Sequence, residues 1–343
     1  MTSTLDLTFT QVLTDWYREN KRDLPWRKDK NPYHVWVSEI MLQQTRVEAV
    51  RDYYTRFMKE LPSVSDLAEA DEQTLLKLWQ GLGYYNRIRN MHKAAAVIQN
   101  DFGGDFPKTY EVIKTLPGIG EYTAGAIASI CFDQRVAAVD GNVLRVMSRL
   151  CEDYEDIKSA AMKKRIAAYL QALYPDEGCG DFTQGLIELG ALICVPNGLP
   201  KCDFCPVSGY CKARATGTTG LLPVKSSKKE RKKVQKTVFI LRCGEKLAVR
   251  QRGKKGLLAG LYEFPNVDQE MTAEQAVKQV EKWGCRPRDL QRKVEYRHIF
   301  THVEWEMTGY YFSCDSENEE FQWVSEKEME MEIPLPSAFG YFI

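Results

Sequence analysis

The chain has 343 residues, of which 44% are hydrophobic and 27% are charged, and its formal net charge is zero. This length is long for one hydrophobic core, so it predicts two domains, and the composition is that of an ordinary globular protein. Neutrality by itself disfavours a nucleic-acid partner. The chain has no run of roughly 18 apolar residues and no charged-then-apolar leader, so we expect a cytoplasmic protein without a membrane span or signal peptide.

Residues 9–215 have the apolar spacing of a mainly helical region. Apolar residues recur at three- and four-residue steps over residues 67–78 and 162–173, which predicts amphipathic helices there. Turn sequences separate the helical segments, at Asn31-Pro32, Leu61-Pro62, Phe102-Gly-Gly104 and the stretch 117–120.

The segment around Glu39 predicts a helix that carries a buried carboxylate. Pro32 suits the first turn of that helix, because its missing N–H has no helical partner there. The neighbours of Glu39 on this segment are apolar: Val35, Trp36, Ile40 and Leu42. A buried glutamate is costly unless it is paired or protonated. Two readings follow, either an ion pair with an arginine such as Arg27 or Arg46, or a catalytic acid with a raised pKa.

A Pro-Gly-x-Gly turn lies near the middle of the chain. Pro117 lacks a backbone donor, and Gly118 and Gly120 permit positive φ, so this turn separates a short helix at residues 111–116 from a second helix at 122–131. The free N–H groups at the start of the second helix form a site suited to a backbone phosphate. The turn therefore indicates a helical hairpin that could bind a phosphate group.

Asp140 stands just before the next periodic segment, residues 143–150. A carboxylate near a helix start should stay ionised, because the helix dipole favours negative charge there. The apolar neighbours of Glu39 should instead raise its pKa. The two carboxyl groups thus have environments that predict one protonated and one anionic group.

Four of the ten cysteines form a cluster, Cys194-x7-Cys202-x2-Cys205-x5-Cys211. Without a secretory signal, all ten are expected to be reduced. Zinc sites usually combine two separate Cys-x2-Cys knuckles, whereas this loop has one knuckle with a single cysteine on each side. One thiolate for each iron corner suits that compact loop, so the spacing favours a [4Fe–4S] cluster over zinc.

The pattern changes after residues 216–233, a Gly-, Thr-, Ser- and Lys-rich stretch that predicts a linker. Residues 1–215 would then be the helical catalytic domain and residues 234–343 a small second domain. Within the second domain, residues 237–242, 246–250 and 305–312 read as strands and residues 273–283 as a helix, which predicts an α/β or α+β fold.

Charge is uneven in this part of the chain. Residues 225–236 hold seven Lys or Arg and one Glu, whereas residues 315–332 hold eight acids and one Lys. The basic run is either a linker close to DNA or a solvated connector, and the acidic run is a solvated face.

Taken together, these motifs resemble the adenine DNA glycosylase (MutY) family of helix-hairpin-helix iron–sulfur glycosylases. The residues that carry the resemblance are Trp26-Arg27, Ser38-Glu39, Leu42-Gln43-Gln44-Thr45, Gly81-Leu-Gly-Tyr-Tyr85, the hairpin, Asp140-Gly-Asn142 and the cysteine loop. The loop departs from the family's C-x6-C-x2-C-x5-C by one residue in the first spacer. The match is dense over the first two-thirds of the chain and loose over the last third.

The resemblance implies excision of adenine from double-stranded DNA where adenine is mispaired with 8-oxoguanine or guanine, by a monomer that carries a [4Fe–4S] cluster. Cleaving that N-glycosidic bond needs an acid for the leaving base and an anion for the cationic sugar, as in glycoside hydrolysis. The family roles would make Glu39 the acid and Asp140 either the stabiliser of the cationic sugar or a transient nucleophile. Tyr122 and Asn142 would support them, and Arg27 and Gln184 would line the adenine pocket.

The resemblance also implies the DNA-binding residues. Leu42, Gln44 and Tyr84 would wedge into the duplex where the adenine leaves, and Gly118 and Gly120 would hold the backbone. Leu42 could instead be a core residue, and Tyr84 part of a packed turn.

In the last third, the sequence Leu257-Leu-Ala-Gly-Leu-Tyr-Glu-Phe-Pro265 resembles the entry to a Nudix-like domain. The helix that follows lacks the Arg-Glu-x-x-Glu-Glu run that would hold catalytic magnesium, so we expect binding and not nucleotide hydrolysis. Phe300, Thr301 and His302 resemble the family's Phe-Ser-His loop for 8-oxoguanine. The predicted fold is thus a mainly α helix-hairpin-helix glycosylase followed by an α/β Nudix-like domain.

Two other functions compete with this reading. An endonuclease III-like pyrimidine glycosylase/lyase would need a lysine at the position of Tyr122, because a Schiff base requires an amine. A non-catalytic iron–sulfur DNA-binding protein would not need both Glu39 and Asp140. The sequence therefore favours a monofunctional glycosylase.

Overall fold

The structure, a computed structural model, describes residues 5–226 and 230–343. It divides into two compact units, one of Met1–Glu69 with Asn90–Ser227 and one of Ala70–Arg89 with Lys228–Ile343. The predicted linker at 216–233 and the basic run at 225–236 both include residues 227–229, which lie outside the described residues. The predicted domain boundary stays a prediction.

Helices make up the regular structure up to residue 215, which confirms the mainly helical prediction. They are α1 (Leu7–Asn20), α2 (Pro32–Leu42), α3 (Val47–Glu60), α4 (Val64–Glu69), α5 (Glu72–Leu78), α6 (Asn86–Phe102), α7 (Tyr110–Ile113), α8 (Glu121–Phe132), α9 (Gly141–Cys151), α10 (Ala160–Gln171), α11 (Cys179–Leu192) and α12 (Lys212–Ala215). None of the helices within residues 5–226 and 230–343 is both long and apolar enough to cross a membrane.

The helical structure predicted over residues 67–78 consists of two helices, α4 and α5. The side chain of Asp71 accepts hydrogen bonds from the backbone N–H groups of Gln73 (2.9 Å) and Thr74 (3.0 Å). It therefore caps the start of α5 and ends the continuous pattern.

The hairpin lies between α7 and α8, and its glycines differ. Gly118 has φ of +76°, and a Cβ built there would lie 2.5 Å from Cβ of Asn90. Gly120, the N-cap of α8, has φ of −91° and open space where a Cβ would stand. Of the two glycines that permit positive φ, only Gly118 adopts it. The turn needs a glycine only at the first position.

The core behind the hairpin is built by α1, α9, α10 and α11. The periodic apolar residues predicted after Asp140 form the inner face of α9. The fully buried residues of this core include Phe9, Leu13, Val143, Met147, Met162, Leu170 and Phe182. Because α9 is held along its length, the residues at its first turn have fixed positions.

The second unit contains a mixed sheet. Its elements are β1 (Lys232–Cys243), β2 (Lys246–Gln251), β3 (Tyr262–Glu263), β4 (Asn266–Val267), α13 (Ala273–Lys282), β5 (Pro287–Ile299), β6 (Val303–Cys314), β7 (Gln322–Ser325), α14 (Glu326–Met331) and α15 (Ser337–Gly340). The main path runs β3-β2-β1-β6-β5, with β1 and β6 parallel and β5 and β6 antiparallel.

Both faces of the second half of β1 are buried, which explains the continuous apolar run in that strand. Val238 and Ile240 belong to the core that includes the α15 residues Ala338 and Phe339. Phe239 and Leu241 face the opposite way, into a core with Ala276 and Val280 of α13. A strand with both faces covered has no polar alternation. The predicted α/β character of the C-terminal region is confirmed.

Candidate active site

A cleft of about 490 Å³ lies within the first unit. This volume is typical of pockets that enclose a small organic ligand, which span about 300–1,000 Å³. The cleft brings together residues that lie far apart in the sequence. The predicted site residues that line it are Arg27, Glu39, Leu42, Gln44, Tyr122, Asp140, Asn142 and Gln184.

Glu39 projects from α2 into this cleft and is 9% exposed. The hydroxyl of Tyr122, in the first turn of α8, donates a hydrogen bond of 2.6 Å to Glu39 Oε2. Burial raises the pKa of Glu39, and Asp140 raises it further, while Tyr122 and Arg27 lower it, so that the pKa is about 7. The direction agrees with the prediction from its apolar neighbours. Glu39 can therefore carry a proton at neutral pH.

Asp140 is the N-cap of α9, and both of its carboxylate oxygens accept hydrogen bonds. Oδ1 accepts from the backbone N–H of Val143 and Oδ2 accepts from Nδ2 of Asn142, each at 2.7 Å. Burial raises the pKa of Asp140 above its usual value, although these hydrogen bonds and Arg145 lower it. The sequence predicted only the favourable helix start, and burial outweighs it.

A chain of hydrogen bonds joins Asp140 to the cysteine loop. Asn142 Oδ1 accepts from Arg145 Nη2 at 2.9 Å, and Arg145 Nε donates to the carbonyl of Cys194 at 2.8 Å. Arg145 Nη2 also donates to the carbonyl of Gly190 at 2.7 Å. Gly190 permits this approach of α11, since a Cβ there would lie 2.7 Å from Cβ of Asn142. The conformation of Asn142 thus depends on the loop that carries the cysteines.

The ion pair considered for Glu39 forms elsewhere. Arg27 Nη1 and Nη2 donate to the two oxygens of Glu188 at 3.0 and 2.9 Å. Arg46 is exposed and immediately precedes α3. Glu39 is therefore stabilised by Tyr122, and the carboxylate that pairs with Arg27 is Glu188.

The remaining predicted residues of the cleft lie on its wall. Leu42 ends α2, and Gln44 follows in the left-handed region at φ of +62°, with its side chain exposed. A non-glycine residue in that region is uncommon and marks a constrained turn. Gln184, on α11, donates from Nε2 to the carbonyl of Gly180 at 3.3 Å.

The four clustered cysteines line one small cavity between α9, α11 and the loop that follows. Arg149 Nη1 donates to Cys194 Sγ at 3.1 Å. Within the described ranges, no group of three or more His, Cys, Asp or Glu side chains has the geometry of a single-ion metal site. Four thiols on one cavity, with a guanidinium beside one of them, are a donor set that fits a cluster with one thiolate for each iron.

The second unit contains the other predicted recognition residues. Phe300, Thr301 and His302 form the turn between β5 and β6, closed by a 2.9 Å hydrogen bond from Phe300 N to Val303 O. Tyr84, at φ of +49° and 51% exposed, has its hydroxyl 2.6 Å from Oγ1 of Thr301. The structure thus places Tyr84 beside this turn of the second unit.

The comparisons with known proteins agree with this geometry. Residues 37–172 match the HhH-GPD superfamily of base excision DNA repair proteins, and residues 237–343 match the NUDIX domain. The adenine DNA glycosylase of Rattus norvegicus is 35% identical, over 86% of this chain and 68% of its own. That of Buchnera aphidicola subsp. Baizongia pistaciae is 34% identical, over 87% of this chain and 84% of its own.

The chain belongs to the adenine DNA glycosylase family. Among solved structures, a thermostable thymine-DNA glycosylase is 29% identical with a TM-score of 0.55, over 61% of this chain and 96% of its own. An endonuclease III in a trapped DNA complex has a TM-score of 0.51 at 21% identity, over 62% of this chain and 99% of its own, and shares the fold. In both cases about three-fifths of this adenine DNA glycosylase family member matches nearly the whole of the solved chain.

The residues of the site that were not predicted from the sequence of this family member include two buried charges on helices, Arg145 and Glu188. Each is a lone charge within an apolar helical segment, Val143-Leu-Arg-Val146 and Leu186-Ile-Glu-Leu189. The same signal identified Glu39, because an ionised side chain in a buried segment needs a partner. Applied to every helix, it would have found both.

Proposed function

We propose that this chain hydrolyses the N-glycosidic bond of adenine in double-stranded DNA where adenine is opposite 8-oxoguanine or guanine. The observation that carries the proposal is the pair of carboxyl groups on one cleft. Burial raises the pKa of Glu39 to about 7, and Asp140 is held by the helix N–H of Val143 and by Asn142. One group that gives a proton and one that holds negative charge are what this hydrolysis needs.

In the proposed mechanism, the adenine nucleotide leaves the duplex and enters the cleft. Glu39 gives its proton to the base at N7, which improves a poor leaving group. The bond between C1′ and the base breaks, and the carboxylate of Asp140 stabilises the oxocarbenium-like sugar that forms. Water then adds to C1′ and gives its proton to the Glu39 carboxylate, which restores the acid. Tyr122 orients Glu39 through the 2.6 Å hydrogen bond and supplies no amine, so no Schiff base forms.

Other residues of the first unit bind and position the DNA. Arg27 and Gln184 line the cleft where they can contact the adenine edge. Leu42 and Gln44 lie at the end of α2, where an inserted side chain would hold the gap open. The hairpin of Gly118 and Gly120 presents backbone N–H groups at the start of α8 to a phosphate.

The cofactor belongs to the same proposal. Cys194, Cys202, Cys205 and Cys211 would hold a [4Fe–4S] cluster, since all four line one cavity. When bound, the cluster ties the four thiolates together and so fixes the loop. Arg145 would pass that order to Asn142, because it donates to both the loop carbonyl and the Asn142 amide oxygen.

Discrimination of 8-oxoguanine is proposed for the second unit. The hydroxyl groups of Tyr84 and Thr301 lie 2.6 Å apart at the turn that also contains Phe300 and His302. Hydroxyl groups can donate and accept, so the pair can meet the altered hydrogen-bond edge of an oxidised purine. Thr301→Ala and Tyr84→Phe should lower the preference for 8-oxoguanine over guanine more than they lower the rate of excision itself.

The test of the function is a single-turnover assay on duplexes with adenine opposite 8-oxoguanine, adenine opposite guanine, or an oxidised pyrimidine. Strand breaks are scored with and without alkali. We expect breaks on the adenine duplexes that require alkali, and none for Glu39→Gln or Asp140→Asn, both of which keep DNA binding. Glu48→Gln, an exposed carboxylate in the first turn of α3, is the control. Excision by either active-site variant at the wild-type rate would overturn the assignment.

The lyase alternative is tested with borohydride, which traps a Schiff base between enzyme and DNA. Tyr122 at the hairpin predicts no efficient adduct. We further propose that the protein acts on chromosomal DNA in the cytoplasm as a monomer, and sedimentation with a mismatched duplex should give one chain for each duplex.

A further inference from the structure

Glu188 is a buried carboxylate behind the wall of the cleft. It lies on α11 with no exposed surface, and it is not among the residues that line the cleft. Arg22 donates to it from the backbone N (2.9 Å), Nε (2.9 Å) and Nη2 (2.8 Å). Arg27 donates from Nη1 (3.0 Å) and Nη2 (2.9 Å). Both arginines do line the cleft.

This arrangement fixes the plane of each guanidinium group. Paired N–H donors on two carboxylate oxygens set orientation as well as distance. Arg27 is held further by the ring of Tyr17, whose centroid lies 5.5 Å from the guanidinium carbon, and by a 3.3 Å hydrogen bond to the carbonyl of Arg22. Removing one partner of a buried pair leaves the others uncompensated, so the two arginines depend on Glu188 for their positions.

Glu188 also sets the charge beside Glu39. Burial would raise the pKa of Glu188, but the hydrogen bonds from Arg22 and Arg27 lower it to about 2, so it is ionised at neutral pH. Two arginines and one carboxylate leave a net charge of one positive unit. Arg27 lowers the pKa of Glu39. A carboxylate paired with Arg27 reduces the field of that arginine, because the two charges have opposite signs.

We propose that Glu188 is a positioning residue for the excision reaction, which holds Arg22 and Arg27 in the orientation that receives the adenine base and reduces their field on the acid Glu39. This inference rests on the proposed function. In this role Glu188 does not contact the substrate. The charged and titratable groups that face Glu188 are Arg22, Arg27 and Tyr17, and those that face Glu39 are Tyr122, Asp140, Arg27 and Cys131.

The experiment compares Glu188→Gln, which removes the charge, with Glu188→Asp, which keeps the charge and shortens the side chain. Asp181→Asn is the matched control, because Asp181 lies on the same helix and pairs with Arg18 at 2.8 Å in a partly exposed position. Single-turnover rates on the adenine:8-oxoguanine duplex are measured from pH 5 to pH 9, together with duplex affinity and thermal unfolding.

Both Glu188 variants should lose about 10- to 100-fold in rate, because misplaced contacts cost that much in an enzyme site. Duplex affinity should stay within about threefold, since the phosphate contacts dominate it. The pH at which Glu188→Gln loses half its rate should fall by roughly half a unit or more, as the unopposed arginines favour ionised Glu39. Glu188→Asp should keep the wild-type pH midpoint. Asp181→Asn should match the wild type in both its excision rate and its pH midpoint.

Either Glu188 variant with wild-type rate overturns the inference, as does a Glu188→Gln profile with an unchanged midpoint. If Glu188→Gln does not fold, the excision rate of Glu188→Asp decides whether the inference holds. A wild-type protein that releases no adenine refutes the proposed function itself, whereas an active wild type with indistinguishable variants refutes only the role of Glu188.

Discussion

Tyr122→Phe should move the pH dependence of adenine excision to higher pH. The phenol of Tyr122 donates a 2.6 Å hydrogen bond to Glu39 Oε2, and this bond favours the ionised carboxylate. Removing it leaves the burial of Glu39 in place and withdraws a group that lowers the pKa. Glu39 then keeps its proton to a higher pH, and an enzyme that needs protonated Glu39 stays active there.

The size of the shift follows from the hydrogen bond. A bond to a charged group contributes about 1.5–3 kcal/mol, and one pKa unit corresponds to about 1.4 kcal/mol, so the pKa should rise by about 1–2 units. The wild-type midpoint near pH 7 should then move to roughly pH 8–9. Below its pKa the acid is protonated and excision proceeds, and above it the rate falls about tenfold for each pH unit.

The assay is the single-turnover rate on the adenine:8-oxoguanine duplex at saturating enzyme, from pH 5 to pH 10. The absolute rate of Tyr122→Phe should also fall, because Glu39 loses an orienting partner, but the midpoint is the decisive quantity. Tyr33→Phe is the control, since the buried hydroxyl of Tyr33 donates to Leu61 O at 2.8 Å. A Tyr122→Phe midpoint equal to or below that of the wild type would refute the assignment of Glu39 as the buried acid.

Three further predictions concern stability, the hairpin and the cofactor. The folded pKa of Glu39, about 7, lies above its unfolded value of 4.5, so its contribution to stability is complete below pH 4.5 and is lost as the pH rises to about 7. At pH 8 the free energy of unfolding of Glu39→Gln, measured by denaturant titration, should therefore exceed that of the wild type by up to about 3 kcal/mol. A smaller gain in this free energy at pH 8 than at pH 5 would contradict the prediction. Gly118→Ala should lose at least about 1 kcal/mol of stability and also lose duplex affinity, because Gly118 has positive φ and a Cβ there would lie 2.5 Å from Asn90. Gly120→Ala has open space at its Cβ and should retain both stability and duplex affinity. Thermal unfolding and binding assays measure the two quantities. Purified protein should contain about four iron atoms for each chain, and Cys202→Ser should lower the iron content together with excision, whereas about one zinc and no iron would favour a single-ion site.

Local chemistry determined most of the elements. Pro32 and the apolar residues after it were sufficient to predict α2, and the Pro-Gly-x-Gly turn separated α7 from α8 at the right place. These features depend on residues within one or two helical turns, which is the range over which capping and turn chemistry act. Apolar spacing over residues 67–78 predicted helical structure but did not show that Asp71 caps a separate helix there.

The sequence by itself also predicted which side chains carry chemistry, because lone carboxylates in apolar segments and four close cysteines are costly or improbable without a function. Only the tertiary structure decided their partners. In the structure, Tyr122 donates a hydrogen bond to Glu39, and Arg27 pairs with Glu188 and not with Glu39. Hydrogen bonds through Asn142 and Arg145 join Asp140 to the cysteine loop. Pairing of this kind joins residues up to about 160 positions apart, and burial of each charge depends on the whole fold. No local sequence pattern predicts which distant residues pair or how far a charge is buried.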